Sequence, residues 1–84
     1  MTYKILYNKK VKKFIEKQSK EQRVRIYQAI NKLPNGDVKR MQTKKELYRL
    51  RVGEYRFIYE IIHDEIIISV IDADNRGDIY KKYK

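Results

Sequence analysis

The stretch LYRLRVGEYRFIY, residues 47–59, decides the fold. Apolar or aromatic residues alternate with charged ones on both sides of Gly53-Glu54, which reads as a β-hairpin closed by a two-residue type II′ turn with glycine first. That turn pairs Val52 with Tyr55, Arg51 with Arg56, Leu50 with Phe57, Arg49 with Ile58 and Tyr48 with Tyr59. Side chains alternate with period two, so Tyr48, Leu50, Val52, Tyr55, Phe57 and Tyr59 share one face, and Leu47, Arg49, Arg51, Arg56, Ile58 and Glu60 share the other. The first face is core. The second gathers three arginines, two of them directly opposed, an arrangement that destabilises a sheet unless an anion neutralises it. It therefore reads as an anion site. A plainer alternative is a solvated surface on which Glu60, diagonal to Arg49, and other acids form weak pairs. Either reading depends on the turn, because a slip of one residue sends every side chain to the other face.

Length and composition narrow what the hairpin belongs to. Eighty-four residues make one domain, 1–84, with a single thin core. Twenty-one basic against eleven acidic residues give a net charge of +10, which favours a polyanionic partner such as nucleic acid or an acidic protein. No apolar run is long enough to span a membrane and none follows the start as a signal region, so the expectation is a cytoplasmic protein with no membrane partner. Cysteine is absent and His63 is the single histidine, which removes disulfides, thiolate catalysis and the usual zinc constellations. The expected site holds no metal and no cofactor.

Before the hairpin, Thr2 to Tyr7 alternates as a short strand, and Asn8 can cap a helix over Lys9–Lys17 that buries Val11, Phe14 and Ile15. Ser19 followed by Gln22 matches a capping box for a second helix, with Ile26, Ala29, Ile30 and Leu33 on its apolar stripe and Pro34 as its stop. Pro34 to Asp37 is a turn by composition, and Val38 to Lys45 is a basic linker without a period, expected to be irregular. After the hairpin, His63-Asp64-Glu65 is a tight connection, and Ile66 to Ile71 is a nearly continuous apolar run expected to be the central strand. Asp72 to Asp78 reads as a polar loop, and Ile79 to Lys84 as a short basic tail or helix. The result is an α+β fold: an N-terminal strand, an antiparallel helix pair, then a three-stranded antiparallel meander completing one sheet. The helices cover the tyrosine face and leave the arginine face open.

An open face carrying Arg49, Arg51 and Arg56, with Arg76 beyond the last strand and tyrosines nearby, has the cations and rings that RNA binding uses. RNA cleavage needs the 2′-OH proton removed, the phosphorane charge stabilised and the leaving oxygen protonated, which fixed cations and a perturbed tyrosine can supply without metal. A tyrosine held among arginines has its pKa lowered, and Tyr80 is the candidate, against the plainer reading of a packing residue. His63, beside Asp64 and Glu65, reads as a surface turn residue.

The succession LYRLRVGEYRFIYEI over 47–61, the Asp64-Glu65 turn, the IIISVI strand over 66–71, and Arg76 shortly before Ile79-Tyr80 together resemble the RelE/ParE toxin superfamily of prokaryotic toxin-antitoxin modules. The resemblance covers the whole chain. It implies a ribosome-dependent endoribonuclease, an mRNA interferase cutting mRNA in the A site without metal if the RelE branch applies, or a DNA gyrase inhibitor if the ParE branch does. A non-catalytic RNA-binding domain is the third reading. On the first, Arg56 corresponds to the hairpin arginine that stabilises the transition-state phosphate, and Arg49 to one of two basic residues on the preceding strand. Arg76 corresponds to a cation and proposed acid, and Tyr80 to the proposed base, although it follows Arg76 by two fewer residues than in the best-studied pattern. The second basic position falls on Leu47, a departure that Arg51, Lys44 or Lys45 would have to make good. Lys9, Lys10, Lys12 and Lys13 are expected to dock on RNA or the 70S ribosome. The implied protein partner is a small acidic RelB-like antitoxin in a hetero-oligomer, attracted by arginines beside Ile58, Ile62, Ile67 and Ile71.

Overall fold

The computed structural model describes residues 3–75 and Ile79. In chain order the elements are β1 (Lys4–Tyr7), α1 (Lys9–Glu16), α2 (Lys20–Asn31), β2 (Val38–Arg40), β3 (Leu47–Val52), β4 (Tyr55–Ile62) and β5 (Ile67–Asp74). They form an α+β fold with one five-stranded sheet in the order β1-β5-β4-β3-β2. No helix among the described residues is long and apolar enough to cross a membrane.

The capping residues act as their chemistry dictates. The Asn8 side chain accepts a hydrogen bond from the Val11 N–H at 2.9 Å, and Ser19 Oγ accepts one from Gln22 N–H at 3.3 Å. Each satisfies a backbone donor that the first helical turn leaves without an intrahelical partner. Val11, Ile15, Ile26 and Ile30 are fully buried, and with Leu50, Phe57, Tyr59, Ile68 and Val70 they make the main core. Phe14 meets Tyr55 and Phe57 edge to face, with centroids 5.8 and 6.0 Å away. These aromatic contacts add to the area buried between helices and hairpin. Tyr55 also donates its hydroxyl to Gln18 Oε1 at 3.0 Å, tying the turn end of the hairpin to the link between the helices.

The hairpin has the register that its sequence predicts, from Val52 opposite Tyr55 through Tyr48 opposite Tyr59. Gly53 has φ +61° and is the turn residue with positive φ, as a II′ turn requires. Several expectations are corrected. The segment expected to be irregular contains β2, whose three residues add an antiparallel edge beside β3; so short a run of Val-Lys-Arg carries no alternation to read. The sheet is mixed rather than antiparallel throughout, because β5 returns beside β1 in the parallel sense. The middle strand is β4, with β5 next to it. Finally, β5 does not end at Ile71: Ile66 stays in the turn at φ +57°, and the strand runs on through Asp72, Ala73 and Asp74.

That extension depends on a β-bulge. Tyr59 pairs with Val70, but Ile58 pairs with Asp72, so Ile71 is an extra residue in β5. The bulge shifts the alternation by one. Ala73 thereby joins the main core opposite Phe57, while Asp72 and Asp74 come opposite Ile58 and Arg56. A second, smaller core lies on the arginine side, where Leu47, Ile58 and Ile79 are buried with Met41 and Ile71 packed against them. The expectation of a fully open arginine face is corrected accordingly: Ile79, at 1% exposure, covers its centre.

Candidate anion site on the arginine face

Direct cross-strand neighbours share a face, so the register lays out this surface row by row. Nearest the turn, Arg51 stands opposite Arg56, and Arg56 opposite Asp74. The next row runs Lys39, Arg49, Ile58, Asp72. Beyond the bulge come Leu47, Glu60, Ser69 and Leu6, then Ile62, Ile67 and Lys4. The face is therefore graded. Cations crowd the β2–β3 side near the turn, acids border them on β5, and Leu6 and Ile62, both exposed, make the far end apolar.

The like-charged pair expected from the sequence is present, but its neutralisation differs from the expectation. Glu60 stands between Leu47 and Ser69, whereas Asp37, just before β2, takes the role proposed for it. The Asp37 carboxylate lies 3.4 Å from Arg49 Nη2 and 3.8 Å from Arg51 Nε. Both contacts are long, and the Asp37 side chain is 59% exposed, so these are loose, solvent-screened pairs. Arg56 has a long contact, 3.4 Å, from Nη1 to the Glu54 carbonyl. Arg49 is more enclosed than Arg51, and its Nε–H is buried with no hydrogen-bond partner among the described residues. A guanidinium carries five N–H donors in a planar fork, and those at its outer end, such as Nη2, are the ones an anion can reach.

Lys39 is the residue that sequence reasoning missed. It is exposed and directly opposite Arg49, and its place on this face follows from β2, which had no readable period. Leu47, the uncharged position, is 3% exposed and packed with Ile58 and Ile79, so it belongs to the small core. Lys44 and Lys45 are exposed in the loop before β3. Lys9, Lys12 and Lys13 lie exposed on α1, across the sheet from the arginines, and are not brought together with them. Lys10 is engaged structurally: its Nζ lies 2.8 Å from Oδ1 of Asp72, a carboxylate 2% exposed. Arg76 and Tyr80 lie outside the described residues.

Tyr7, Tyr48 and Tyr59, packed on the core side, are poorly suited to act as bases. Burial pushes the Tyr59 phenol up to about 12, with Tyr48 beside it adding to the shift. Tyr7 is raised by burial and by Tyr27, and Tyr48 is raised chiefly by donating to Glu46 at 2.9 Å. Raised values oppose phenolate formation. The same Glu46 carboxylate lies 3.0 Å from His63 Nε2, and its pKa is lowered by the Tyr48 and His63 hydrogen bonds. His63 is thus an exposed turn residue, as expected, but one tied across the end of the sheet.

Solved structures share this arrangement of strands and helices. The toxin-antitoxin complex RelE-RelB of Pyrococcus horikoshii matches with a TM-score of 0.77 and 28% identity, over 92% of this chain and 98% of that one. RelBE2 of Mycobacterium tuberculosis matches with a TM-score of 0.75 over 90% and 100% of the two chains, at 15% identity. The intact E. coli RelBE complex gives 0.72 over 89% and 98%, at 17% identity. In sequence, toxin RelE1 of Methanocaldococcus jannaschii is 36% identical over 45 residues. In fold and in part of its sequence this chain resembles the RelE/ParE toxin superfamily. The sequence match spans 54% of the chain and half the length of the M. jannaschii relative. No protein-family profile matches the chain. Arg56 sits in the turn-proximal row, between Arg51 and Asp74.

Proposed function

We propose that this chain is the toxin of a type II toxin-antitoxin module and acts as a ribosome-dependent endoribonuclease on mRNA in the A site. The observation that carries the reading is the convergence of Arg49, Arg51 and Arg56 on one sheet face, held only by long contacts to Asp37 and the Glu54 carbonyl among the described residues. In the reaction the 2′-oxygen attacks the adjacent phosphorus and the bond to the 5′-oxygen breaks, leaving a 2′,3′-cyclic phosphate and a 5′-hydroxyl. Arg56 and Arg49 stabilise the extra negative charge of the phosphorane, where preorganised donors act most strongly. Arg76 protonates the departing oxygen and Tyr80 takes the 2′-OH proton. The positive field of a +10 chain draws RNA and ribosome in, with Lys9, Lys12, Lys13, Lys44 and Lys45 as docking charges. Lys10 is better read as the structural partner of Asp72.

A small acidic antitoxin is the protein partner in this proposal. The relatives' structures are complexes with RelB, and the graded face offers such a partner apolar ground at Leu6 and Ile62 beside a field of arginines. Cytoplasmic action follows from the target.

Induction of the protein followed by mapping of cellular mRNA ends tests the assignment. Cuts in frame within translated codons, absent from untranslated RNA, are the expected result. DNA breaks with an SOS response and intact mRNA would instead assign the chain to gyrase inhibition, and neither outcome would leave an RNA-binding domain without catalysis.

A further inference from the structure

Beside the arginine face, at the other flank of β3, the molecule has a groove of about 290 Å³ that the proposed reaction does not use. Its walls come from Arg25 and Gln28 on α2, from Lys32 just after that helix, and from Gly36, Asp37, Arg51 and Gly53. The groove exists because β2 is short. Its pairing begins with Val38 opposite Leu50, and beyond it the Arg51 N–H still donates to the Asp37 carbonyl at 3.0 Å, so the β2 ladder stops short of Val52. The Arg25 guanidinium lies close against the hairpin turn: a Cβ on Gly53 would stand 3.4 to 3.5 Å from its atoms, ordinary van der Waals contact.

We propose that this groove is a second phosphate site, holding a backbone phosphodiester of the same RNA strand whose neighbouring phosphate lies on the arginine face. Three cations, Arg25, Lys32 and Arg51, face one carboxylate, Asp37, around an open space, and such a surplus of like charge is favourable when an anion enters between them. The groove and the face are continuous. Asp37 touches Arg49 on the face and Arg51 at the groove, so the cations of both sites form one track across the β3 edge. A ligand with anionic groups at regular intervals suits that track, which favours a nucleic-acid backbone over the irregular charges of an acidic protein segment. The proposal rests on the reading of the arginine face as an RNA site.

The test compares wild type, Arg25→Gln with Lys32→Gln, and Arg56→Ala in binding a short single-stranded 2′-O-methyl RNA, which lacks the reactive hydroxyl, across a salt series. Thermal melts establish that each variant is folded. Loss of one phosphate contact makes the slope of log K against log salt shallower by about 0.7 on a single strand. The double variant is expected to show that change, and Arg25→Lys, which keeps the charge, to retain most of the wild-type slope. Should the double variant melt early, Arg25→Gln alone gives the same readout. A wild-type slope for the double variant while Arg56→Ala still flattens it overturns the groove site and leaves the arginine face standing. Unchanged slopes for both overturn the two together. An unchanged RNA slope with lost binding of polyglutamate by the double variant assigns the groove to an acidic protein and overturns the proposal as well.

Discussion

Arg56 and Phe57 are neighbours in the chain and belong to opposite worlds. Phe57 is fully buried between helices and sheet, in contact with Phe14, while Arg56 faces outward beside a second arginine. The core face is held by apolar area and ring packing, which charge screening does not weaken. The other face keeps like charges together, an arrangement that costs stability by itself. The hairpin thus separates what stabilises the fold from what the fold presents, and single substitutions should divide along the same line.

The largest contrast is expected at these two residues. Phe57→Ala should destabilise by about 3–5 kcal/mol, enough to unfold much of a small domain. Arg56→Ala should change stability by no more than about 0.5 kcal/mol while lowering single-turnover cleavage on programmed ribosomes by about 10² to 10³. Urea melts and cleavage rates of the two variants, measured side by side, decide it. A well-folded Arg56→Ala protein that cleaves normally would sink the catalytic role of the hairpin.

The core face also sets an alkaline limit. Tyr59 titrates at about 12 when folded against about 10 in the unfolded chain. Below pH 10 both states hold the proton and the contribution is complete. Between 10 and 12 the unfolded state has lost its proton and the folded state keeps it, so stability falls as pH rises, by at most about 3 kcal/mol. Chemical denaturation from pH 8 to 12 should show the decline, and Tyr59→Phe should flatten part of it. An identical decline in that variant would place the effect elsewhere.

Leu47 tests where the two faces stop being opposites. The superfamily resemblance places a basic residue there, yet Leu47 is packed in the small core with Ile58 and Ile79. Leu47→Lys should therefore cost about 2 kcal/mol, moderated by the ability of a lysine stem to reach solvent, and should not raise the cleavage rate. A variant as stable as wild type with faster cleavage would show that the small core yields and that the position is catalytic ground.

This division explains what could be read from the sequence. The hairpin, its register and its arginine cluster were legible because Gly53 dictates the turn and strict alternation leaves one solution. The caps at Asn8 and Ser19 were legible for the same local reason. The features that sequence missed are not local. β2 is ordered by pairing with β3, and the parallel return of β5 to β1 joins residues more than sixty positions apart. The bulge at Ile71 carries no glycine or other signal, yet it decides that Asp74 faces Arg56. Asp37 read as part of a turn, and only the folded chain brings it to Arg49 and Arg51.

Asp37 also gives the smallest and most discriminating prediction. Its carboxylate is the anion that the described structure sets against Arg49 and Arg51, at distances too long for strong pairs. Incoming phosphate therefore meets two arginines partly neutralised by a neighbour of its own sign. Asp37→Asn keeps the shape and removes the charge. Exposed pairs of this kind contribute about 0.2–1 kcal/mol, so stability should shift within about 0.5 kcal/mol and RNA should bind about two- to fivefold tighter at low salt, with the gain shrinking as salt rises. The alternative is that Asp37 orients the arginines, in which case freeing them adds disorder and binding weakens. Titration of 2′-O-methyl RNA against both proteins separates the cases by sign: tighter binding means the carboxylate competes with phosphate for the site, and weaker binding means it helps to build that site.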